Sequence, residues 1–258
     1  MNNPITIAID AMGGDDSPNK VLEGISFHSK LSKNVKYKIF GNTNLIKPLI
    51  KKYNIPNERF TLKHTEKVVE GEDSALSAAK KGKDTSLWLA IESLKNNETD
   101  AIVSAGNTGA LFLISKLNLK MIKNIDKPAL SALWPSKKNM NVVLDLGANI
   151  ECNVKNLVDF SIMGSALLKA LFPNEIANVA LLNIGSEELK GNAMIKETYQ
   201  FLNENNYSLF DFKGYIEGNN IMEGNVNVIV ADGFTGNIAL KTAEGTSNFI
   251  INELKKAL

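Results

Sequence analysis

Glycines and small polar residues occur together where apolar runs of this chain end. The clearest stretch is IVSAGNTGALFL, residues 102–113, in which an apolar run gives way to Gly106, Asn107, Thr108 and Gly109. Glycine lets a backbone approach a ligand closely, and a helix that begins at Thr108 directs its first N–H groups toward an anion. These residue types indicate an anion site, and phosphate is the simplest candidate. A glycine turn also has a purely steric explanation, which stays open for any single loop.

The same combination follows four other apolar runs. Ser104 ends the run described above. Residues 5–9 are followed by Asp10, Gly13, Gly14 and Asp15, and the run 142–146 contains Asp145 and leads to Asn149. The run 179–184 contains Asn183 and leads to Gly185, Glu187 and Lys190, and residues 226–231 are followed by Asp232, Gly233, Thr235, Gly236 and Asn237. Loops beyond the carboxyl ends of parallel strands lie at one rim of an open sheet. We therefore expect these residues to converge on a single site.

Composition limits how this chain can hold an anion. Of 29 basic residues only one, Arg59, is arginine, so phosphate must be bound mainly by lysine, hydroxyl and backbone N–H groups. The net charge of +1 gives no reason to expect nucleic acid as a partner. The single cysteine, Cys152, excludes an intramolecular disulfide and a cysteine-rich metal site. Because the sequence has neither a signal peptide nor an apolar run of about 20 residues, we expect a soluble, cytoplasmic protein.

Several well-known catalytic patterns do not occur. The sequence contains neither nucleotide-binding glycine motif, no G-x-S-x-G and no H-E-x-x-H. Two histidines, His28 and His64, are few for a Ser-His-Asp triad, and we expect structural roles for both. Cys152 is a candidate nucleophile, with a small buried hydrophobe as the alternative. The basic run Lys80–Asp84 is either a solvated face or a docking patch for an acidic partner.

Apolar runs alternate with amphipathic stretches along the chain. The predicted strands are Ile5–Ile9, Tyr37–Phe40, Ala101–Ser104, Val142–Leu146, Val179–Ile184 and Val226–Ala231. The predicted helices are Pro18–Leu31, Thr85–Leu94, Thr108–Leu117, Leu157–Leu171, Lys190–Asn203 and Gly236–Leu258. We expect Ser17 to cap the first of these helices, and Thr85 with Ser86 to cap the second. The alternation predicts an α/β protein with a doubly wound, mostly parallel sheet in one domain, residues 1–258, with a cleft between two lobes as the alternative.

Five segments together resemble one family. They are IDAMGGDDSP, SAGNTGALF, LDLGANIECNVKNLVDFSIMGSAL, LLNIGSEELKGNAMIKETY and VIVADGFTGNIALKTAEG, and they are similar in order and spacing to the PlsX family of bacterial phosphate acyltransferases. The resemblance implies an α/β/α sandwich like that of phosphate acetyltransferases and isopropylmalate dehydrogenases. It also implies reversible transfer of a long-chain acyl group from acyl carrier protein to inorganic phosphate, for phosphatidic acid synthesis. No cofactor and no metal-ligating residues are expected, and whether a metal assists the reaction stays open.

The resemblance also suggests partners and roles. It implies a homodimer, peripheral contact with the inner membrane face, and a downstream glycerol-3-phosphate acyltransferase that uses the product. Phosphate would attack the thioester directly, without an enzyme nucleophile. For this reaction Ser104 and Thr108 are expected in the phosphate cradle. The expected catalytic amides are Asn107, Asn183 and Asn237, and Lys190 or Lys241 is expected to neutralise phosphate.

Two departures from the family pattern leave alternatives open. The sequence stops at SNFIINELKKAL, where family members usually continue, so we expect membrane contact to be reduced or lost and dimer formation to be affected. Residues 68–83 carry fewer basic side chains than is usual, although Lys80, Lys81 and Lys83 keep positive charge for an acidic carrier protein. The alternatives are a coenzyme A-dependent phosphate acetyl- or butyryltransferase and a non-catalytic homologue that binds acyl carrier protein. An NAD- and metal-dependent dehydrogenase would need clustered arginines.

Overall fold

A computed structural model describes residues 4–257. The chain divides after Lys120 into two compact units, each with its own sheet. The sequence predicted one sheet, whereas its strands form two. The assignment of residues 1–258 to a single domain stays a prediction, because a division by contacts does not test whether the units fold separately.

The first unit contains a four-stranded, entirely parallel sheet. Its strands are β1 (Ile5–Asp10), β2 (Val35–Gly41), β3 (Phe60–His64) and β4 (Ala101–Ser104), in the spatial order β3-β2-β1-β4. Its helices are α1 (Asn19–Leu31), α2 (Thr43–Lys52), α3 (Ala75–Lys80), α4 (Ser86–Lys95) and α5 (Thr108–Asn118). Buried side chains of α1 and α2 pack on one face of the sheet, and α4 packs on the other. The parallel arrangement places the ends of β1 and β4 side by side.

The second unit contains a five-stranded mixed sheet. Its strands are β5 (Ser131–Pro135), β6 (Met140–Leu144), β7 (Ala177–Asn183), β8 (Phe210–Glu217) and β9 (Val228–Val230), in the spatial order β5-β6-β9-β7-β8. Only the β5–β6 pair is antiparallel among these strands. Its helices are α6 (Val154–Leu171), α7 (Ala193–Glu204) and α8 (Gly233–Ala257). Leu144, Phe160 and Val228 belong to the core on one face, and Val143 and Ile229 belong to the core on the other.

The α/β class with mostly parallel strands is confirmed. Every predicted strand and helix is present; Ala101–Ser104 has its predicted bounds, and the others have one or both ends shifted. The last residue of the final predicted helix, Leu258, lies outside the described residues. The missed strands β3, β5 and β8 are all at sheet edges. An edge strand is partly exposed and carries polar residues, so FTLKH, for example, lacks the continuous apolar run of a central strand. Helix α2 was missed because Pro48 interrupts its pattern, and α3 because it has only six residues.

One of the two predicted helix caps is wrong. Thr85 caps α4, since the Trp88 N–H donates to its Oγ1 at 3.3 Å. Ser17 does not cap α1, because Pro18 holds the cap position and the Ser17 hydroxyl instead donates to the Gly13 carbonyl at 2.5 Å. Within residues 4–257, none of the helices combines the length and the apolar character needed to cross a membrane.

Candidate functional site

Asp10 and Ser104 join the ends of two neighbouring strands in the first unit. They face each other in the register of β1 and β4, and Ser104 Oγ donates to Asp10 Oδ2 at 2.8 Å. Ser104 Oγ in turn accepts from the Gly106 N–H at 3.2 Å, and Asp10 Oδ1 accepts from the Met12 N–H at 3.3 Å. Asp10 is 3% exposed, so its carboxylate is committed to organising both loops.

Glycines let these two loops touch through their backbones. A side chain at Gly13 would place a Cβ 2.6 Å from Asp10 Oδ2 and 2.9 Å from the Gly106 nitrogen. Gly14 has a φ of +92°, and a Cβ there would lie 2.5 Å from the Ala105 carbonyl oxygen. Contacts under 3.0 Å cannot be accommodated without moving the backbone, so close approach requires both glycines.

Asn107 is the N-cap of α5, and its side chain is fully engaged. Its Oδ1 accepts from the Ala110 N–H at 2.9 Å, and its Nδ2 donates to the carbonyls of Gly71 and Asp73 at 2.9 and 2.7 Å. Because an amide has only two N–H bonds to donate, none is left for a substrate in this arrangement. The structure thus gives Asn107 a positioning role, fixing residues 71–73 against the start of α5.

A cavity of about 630 Å³ lies between these loops. Its lining residues are Met12, Gly14, Asp15, Val69, Glu70, Gly71, Ala105, Gly106, Asn107, Thr108 and Gly109. The N–H groups of Thr108 and Gly109 belong to the first turn of α5, where helical geometry offers them no internal acceptor. The Thr108 side chain is exposed and has no hydrogen-bond partner among residues 4–257. The cavity therefore joins a helix N-terminus to a free hydroxyl, with the carboxylates of Asp15 and Glu70 also in its wall.

In the second unit, Asp145 has the same organising role that Asp10 has in the first. It is 0% exposed, and its carboxylate accepts five hydrogen bonds from N–H groups of the chain. The donors are the backbone N–H groups of Leu130, Gly147, Ala148 and Asn149 and the Asn149 side chain, at 2.7–3.3 Å. Asn149 gives its second amide hydrogen to the Pro128 carbonyl. Both side chains are thus engaged within the protein.

The loop after β9 leads into α8, and the first turn of α8 packs against the backbone at Asp145 and Asn149. Asp232 accepts from the N–H and the hydroxyl of Thr235, at 2.8 and 3.0 Å, and so caps the helix. The Gly233 N–H donates to the Asn149 carbonyl at 2.8 Å, and a Cβ on Gly233 would overlap the Asn149 backbone. A Cβ on Gly236 would overlap the Asp145 carbonyl oxygen. These residues form a packed junction.

The remaining predicted residues of the second unit lie on exposed segments. Asn183 Nδ2 donates to the carbonyls of Gly185 and Lys190, so this amide holds its own loop, while the Glu187 side chain is exposed. Lys241 pairs with Glu244 at 2.8 Å. The side chains of Lys190 and Asn237 are exposed and have no hydrogen-bond or ion-pair partner within the described part of the chain. Among the predicted residues of this unit, these two side chains and that of Glu187 have no partner among the described residues.

The predicted residues therefore form two groups, and the expectation of one sheet rim is corrected. Asp10, Ser104 and the Gly106–Gly109 loop meet in the first unit, and Asp145, Asn149 and the Asp232–Asn237 loop meet in the second. The division follows from the two sheets, since β1 adjoins β4 and β6 adjoins β9. Sequence reasoning missed residues 69–71 of the cavity wall, because no strand precedes the glycine that would have indicated a loop at a rim.

The residues considered for other chemistry have structural partners. His28 lies in α1 and forms a 2.7 Å hydrogen bond with the Tyr37 hydroxyl, and Thr43 contacts His64 at the end of β3. Arg59 donates to the carbonyls of Ser32 and Lys33. Cys152 packs against the core beside α6, and burial raises the pKa of its thiol above the usual value. A raised pKa reduces the thiolate fraction and argues against a nucleophilic role.

Comparison with known proteins assigns the chain to a protein family. The sequence model of the fatty acid synthesis protein family matches residues 5–258. A phosphate acyltransferase of Pelagibacter ubique is 65% identical over 258 residues, which are 100% of this chain and 77% of that protein. A phosphate acyltransferase of Maricaulis maris is 45% identical over 255 residues, 98% of this chain and 72% of that protein.

Two solved structures share the fold. The EutD phosphotransacetylase from Staphylococcus aureus has a TM-score of 0.63 at 14% identity, covering 95% of this chain and 83% of that one. A branched-chain phosphotransacylase from Enterococcus faecalis V583 has a TM-score of 0.57 at 14% identity, covering 92% and 83%. At this identity the similarity establishes the fold alone, in agreement with the phosphate acetyltransferase-like architecture expected from the sequence.

Proposed function

The chain belongs to the fatty acid synthesis protein family, the PlsX phosphate acyltransferases, and from this membership we propose that it transfers a long-chain acyl group from acyl carrier protein to inorganic phosphate. The product is an acyl phosphate that enters phosphatidic acid synthesis. The observation that carries the proposal in the structure is the cavity at the start of α5, where the Asp10–Ser104 hydrogen bond holds two glycine loops in backbone contact.

The chemistry of this cavity suits phosphate. Thr108 and Gly109 offer backbone N–H groups at a helix N-terminus, which carries partial positive charge. The Thr108 hydroxyl adds a neutral donor. This arrangement needs no arginine, in keeping with a chain whose single Arg59 binds backbone carbonyls elsewhere. Asp15 and Glu70 are acidic and oppose an anion in this cavity. The proposal also retains Lys190 or Lys241 as the cation that neutralises phosphate.

Transfer proceeds by direct attack. A phosphate oxygen forms a bond to the thioester carbonyl carbon, the carbonyl oxygen gains negative charge in a tetrahedral state, and the C–S bond then breaks. The thiolate of the carrier takes up the proton that phosphate releases, giving acyl phosphate and free thiol. Among the three proposed catalytic amides, Asn237 is the one whose side chain is free to donate to the developing oxyanion. Asn107 and Asn183 act through the loops they hold.

The proposal includes partners. Acyl carrier protein is acidic in character, and the exposed Lys80 and Lys83 present positive charge beside α3. Lys81 is less available, since it pairs with Asp73 at 2.5 Å. A homodimer, a cytoplasmic location, peripheral contact with the inner membrane face and delivery of product to a glycerol-3-phosphate acyltransferase complete the proposed function.

The test is acyl phosphate formation by the purified chain from hexadecanoyl–acyl carrier protein and labelled phosphate. Gly13→Ala should lower kcat/KM by about 5- to 160-fold if the 1–3 kcal/mol that overpacking costs falls entirely on the transition state. Gly245→Ala is the matched control, because a Cβ at this position of α8 meets nothing within 4 Å. Thr108→Val removes one exposed hydroxyl without a structural partner and should raise KM for phosphate.

The outcomes separate the readings. Phosphate-dependent product that is lost in Gly13→Ala and kept in Gly245→Ala supports both the reaction and its place. Normal KM for phosphate in Thr108→Val would remove this hydroxyl from the cradle. If the folded chain binds acyl carrier protein and forms no product, the non-catalytic homologue replaces the enzyme.

A further inference from the structure

A second cavity, about 410 Å³ in volume, opens beside α1 in the first unit. It lies where α1 faces β1 and β4, and its walls are mainly apolar side chains. Those that define it are Ile7 and Ile9 on β1, Val103 on β4, and Val21 and Ile25 on α1. We call this cavity the α1 groove.

The α1 groove exists because the last strand of the sheet has no helix over this face. The buried residues of α1 and α2 cluster with β1 and β2, while the helix packed near β4, α4, contacts the opposite face. Val103 is consequently 53% exposed, although it sits on a strand next to β1. With Ile7, Ile9 and Val21 it forms a contiguous apolar wall, and contiguous apolar surface is typical of sites that bind apolar groups.

The groove meets the phosphate cavity. Asp15 and Ala105 line both, and Asp10, which organises the loops of the phosphate cavity, also lines the groove. The apolar groove and the polar cavity are therefore neighbours, with Ala105 and Asp15 at their common boundary.

His28 and Tyr37 also line the groove, and a 2.7 Å hydrogen bond joins the His28 ring to the Tyr37 hydroxyl. Lys20, Gly24 and His28 follow one another along α1 at intervals of four residues, so the wall from Lys20 to His28 is about 12 Å long at 1.5 Å per residue. This shape suits a chain and is far longer than an acetyl group needs.

We propose that the α1 groove holds the alkyl chain of the acyl substrate, with the thioester carbonyl at the Asp15–Ala105 boundary and the chain end toward His28 and Tyr37. The proposal rests on the proposed function, whose reaction requires an acyl group next to phosphate. In this proposal the long alkyl chain binds in the apolar groove and phosphate binds in the polar cavity.

Gly24 keeps the groove open. It lies within α1, where glycine is unfavourable for helix stability, and a Cβ at this position meets nothing within 4 Å. A larger side chain can therefore enter the groove without a backbone clash. Glu23, the preceding residue, is exposed and does not line the groove, so it offers a matched position for the same new side chain.

The experiment compares Gly24→Leu with Glu23→Leu, using butanoyl–, octanoyl– and hexadecanoyl–acyl carrier protein and labelled phosphate. Gly24→Leu should lower kcat/KM for the longest chain by about fourfold for each methylene displaced, equivalent to about 0.8 kcal/mol, and should spare butanoyl transfer. Gly24→Ala should give a smaller loss, and Glu23→Leu should match the unchanged protein at every length. A loss that is equal for all three chains, or no loss, overturns the proposal.

A binding measurement separates this proposal from the reaction itself. Dansyl-labelled undecanoic acid is titrated into the same proteins, and its fluorescence rises in an apolar site. Weaker binding to Gly24→Leu than to Glu23→Leu supports the groove even if the unchanged chain forms no acyl phosphate. Equal binding to both variants, or none to the unchanged protein, overturns it.

Discussion

Asp10 and Ser104 occupy paired positions on adjacent parallel strands, and a 2.8 Å hydrogen bond joins their side chains where both strands end. The bond has consequences on both sides, because Ser104 also accepts from the Gly106 N–H and Asp10 accepts from the Met12 N–H. A single pair of side chains thus fixes the two loops that line the phosphate cavity.

Removing the Ser104 hydroxyl should weaken both the fold and the site. Ser104→Ala leaves a buried carboxylate oxygen and the Gly106 N–H without their partner, and the free energy of unfolding should fall by about 1–3 kcal/mol. Urea unfolding measures the change, with Ser29→Ala as a control because Ser29 bonds only within α1. KM for phosphate should rise in the first variant alone. Equal stability of the two variants would contradict the role given to the Asp10–Ser104 bond.

We expect the Asn107 side chain both to cap α5 and to hold residues 71–73 in place. Asn107→Ala loses the bond to Ala110 together with both bonds to the 71–73 segment, whereas Asn107→Ser can keep the cap. The serine variant should therefore be more stable than the alanine variant by about 1 kcal/mol. Both should be cleaved faster between residues 70 and 84 in limited proteolysis. Identical unfolding curves for alanine and serine would remove the cap from the explanation.

Sequence reasoning located the loops better than it assigned their side chains. Glycine and polar residues after an apolar run identify a strand end, and Asp10, Asn107, Asp145 and Asn183 do lie at such ends or in the loops that follow. A side-chain amide can bind substrate only if no backbone carbonyl already accepts its N–H groups, and such carbonyls can belong to residues far away in the sequence. Asn107 meets Gly71 and Asp73, more than thirty residues away, and no local pattern shows that pairing.

The division into two sheets was also beyond the sequence pattern. A run such as Val142–Leu146 indicates burial on both faces, but it does not say which strands become its neighbours. The antiparallel β5 and the edge strand β8 carry polar residues because part of their surface is exposed, so they went unrecognised. Neighbour choice follows from packing over long separations, which a single sequence does not display.

Two helix glycines should respond in opposite directions to the same substitution. Gly164 lies in α6, and a Cβ there would be 2.7 Å from both Leu144 Cδ2 and Val228 Cγ1. Gly164→Ala should lower the free energy of unfolding by about 1–3 kcal/mol through overpacking. Gly245→Ala, in open space on α8, should raise it by up to about 1 kcal/mol. Thermal unfolding measures both, and shifts of Tm in the same direction would refute this packing argument.

Cys152 should react slowly with alkylating reagents. The thiolate is the reactive form, and burial raises the thiol pKa, so the thiolate fraction at any given pH is smaller than for a free thiol. The rate with iodoacetamide should rise with pH along a curve displaced to higher pH than that of free cysteine. Because direct attack by phosphate needs no thiol, Cys152→Ala should keep kcat. A large loss of kcat in that variant would favour a covalent acyl-enzyme.

The close packing of Gly236 against the Asp145 carbonyl restricts which amino acids can occupy position 236. Every amino acid other than glycine carries at least a Cβ, and that atom alone overlaps the carbonyl oxygen. In a library that samples all twenty residues at each position of α8, selection for folded protein should return one residue at Gly236 and many at Gly245. The number of amino acids recovered at each position thus measures how closely the backbone is packed there.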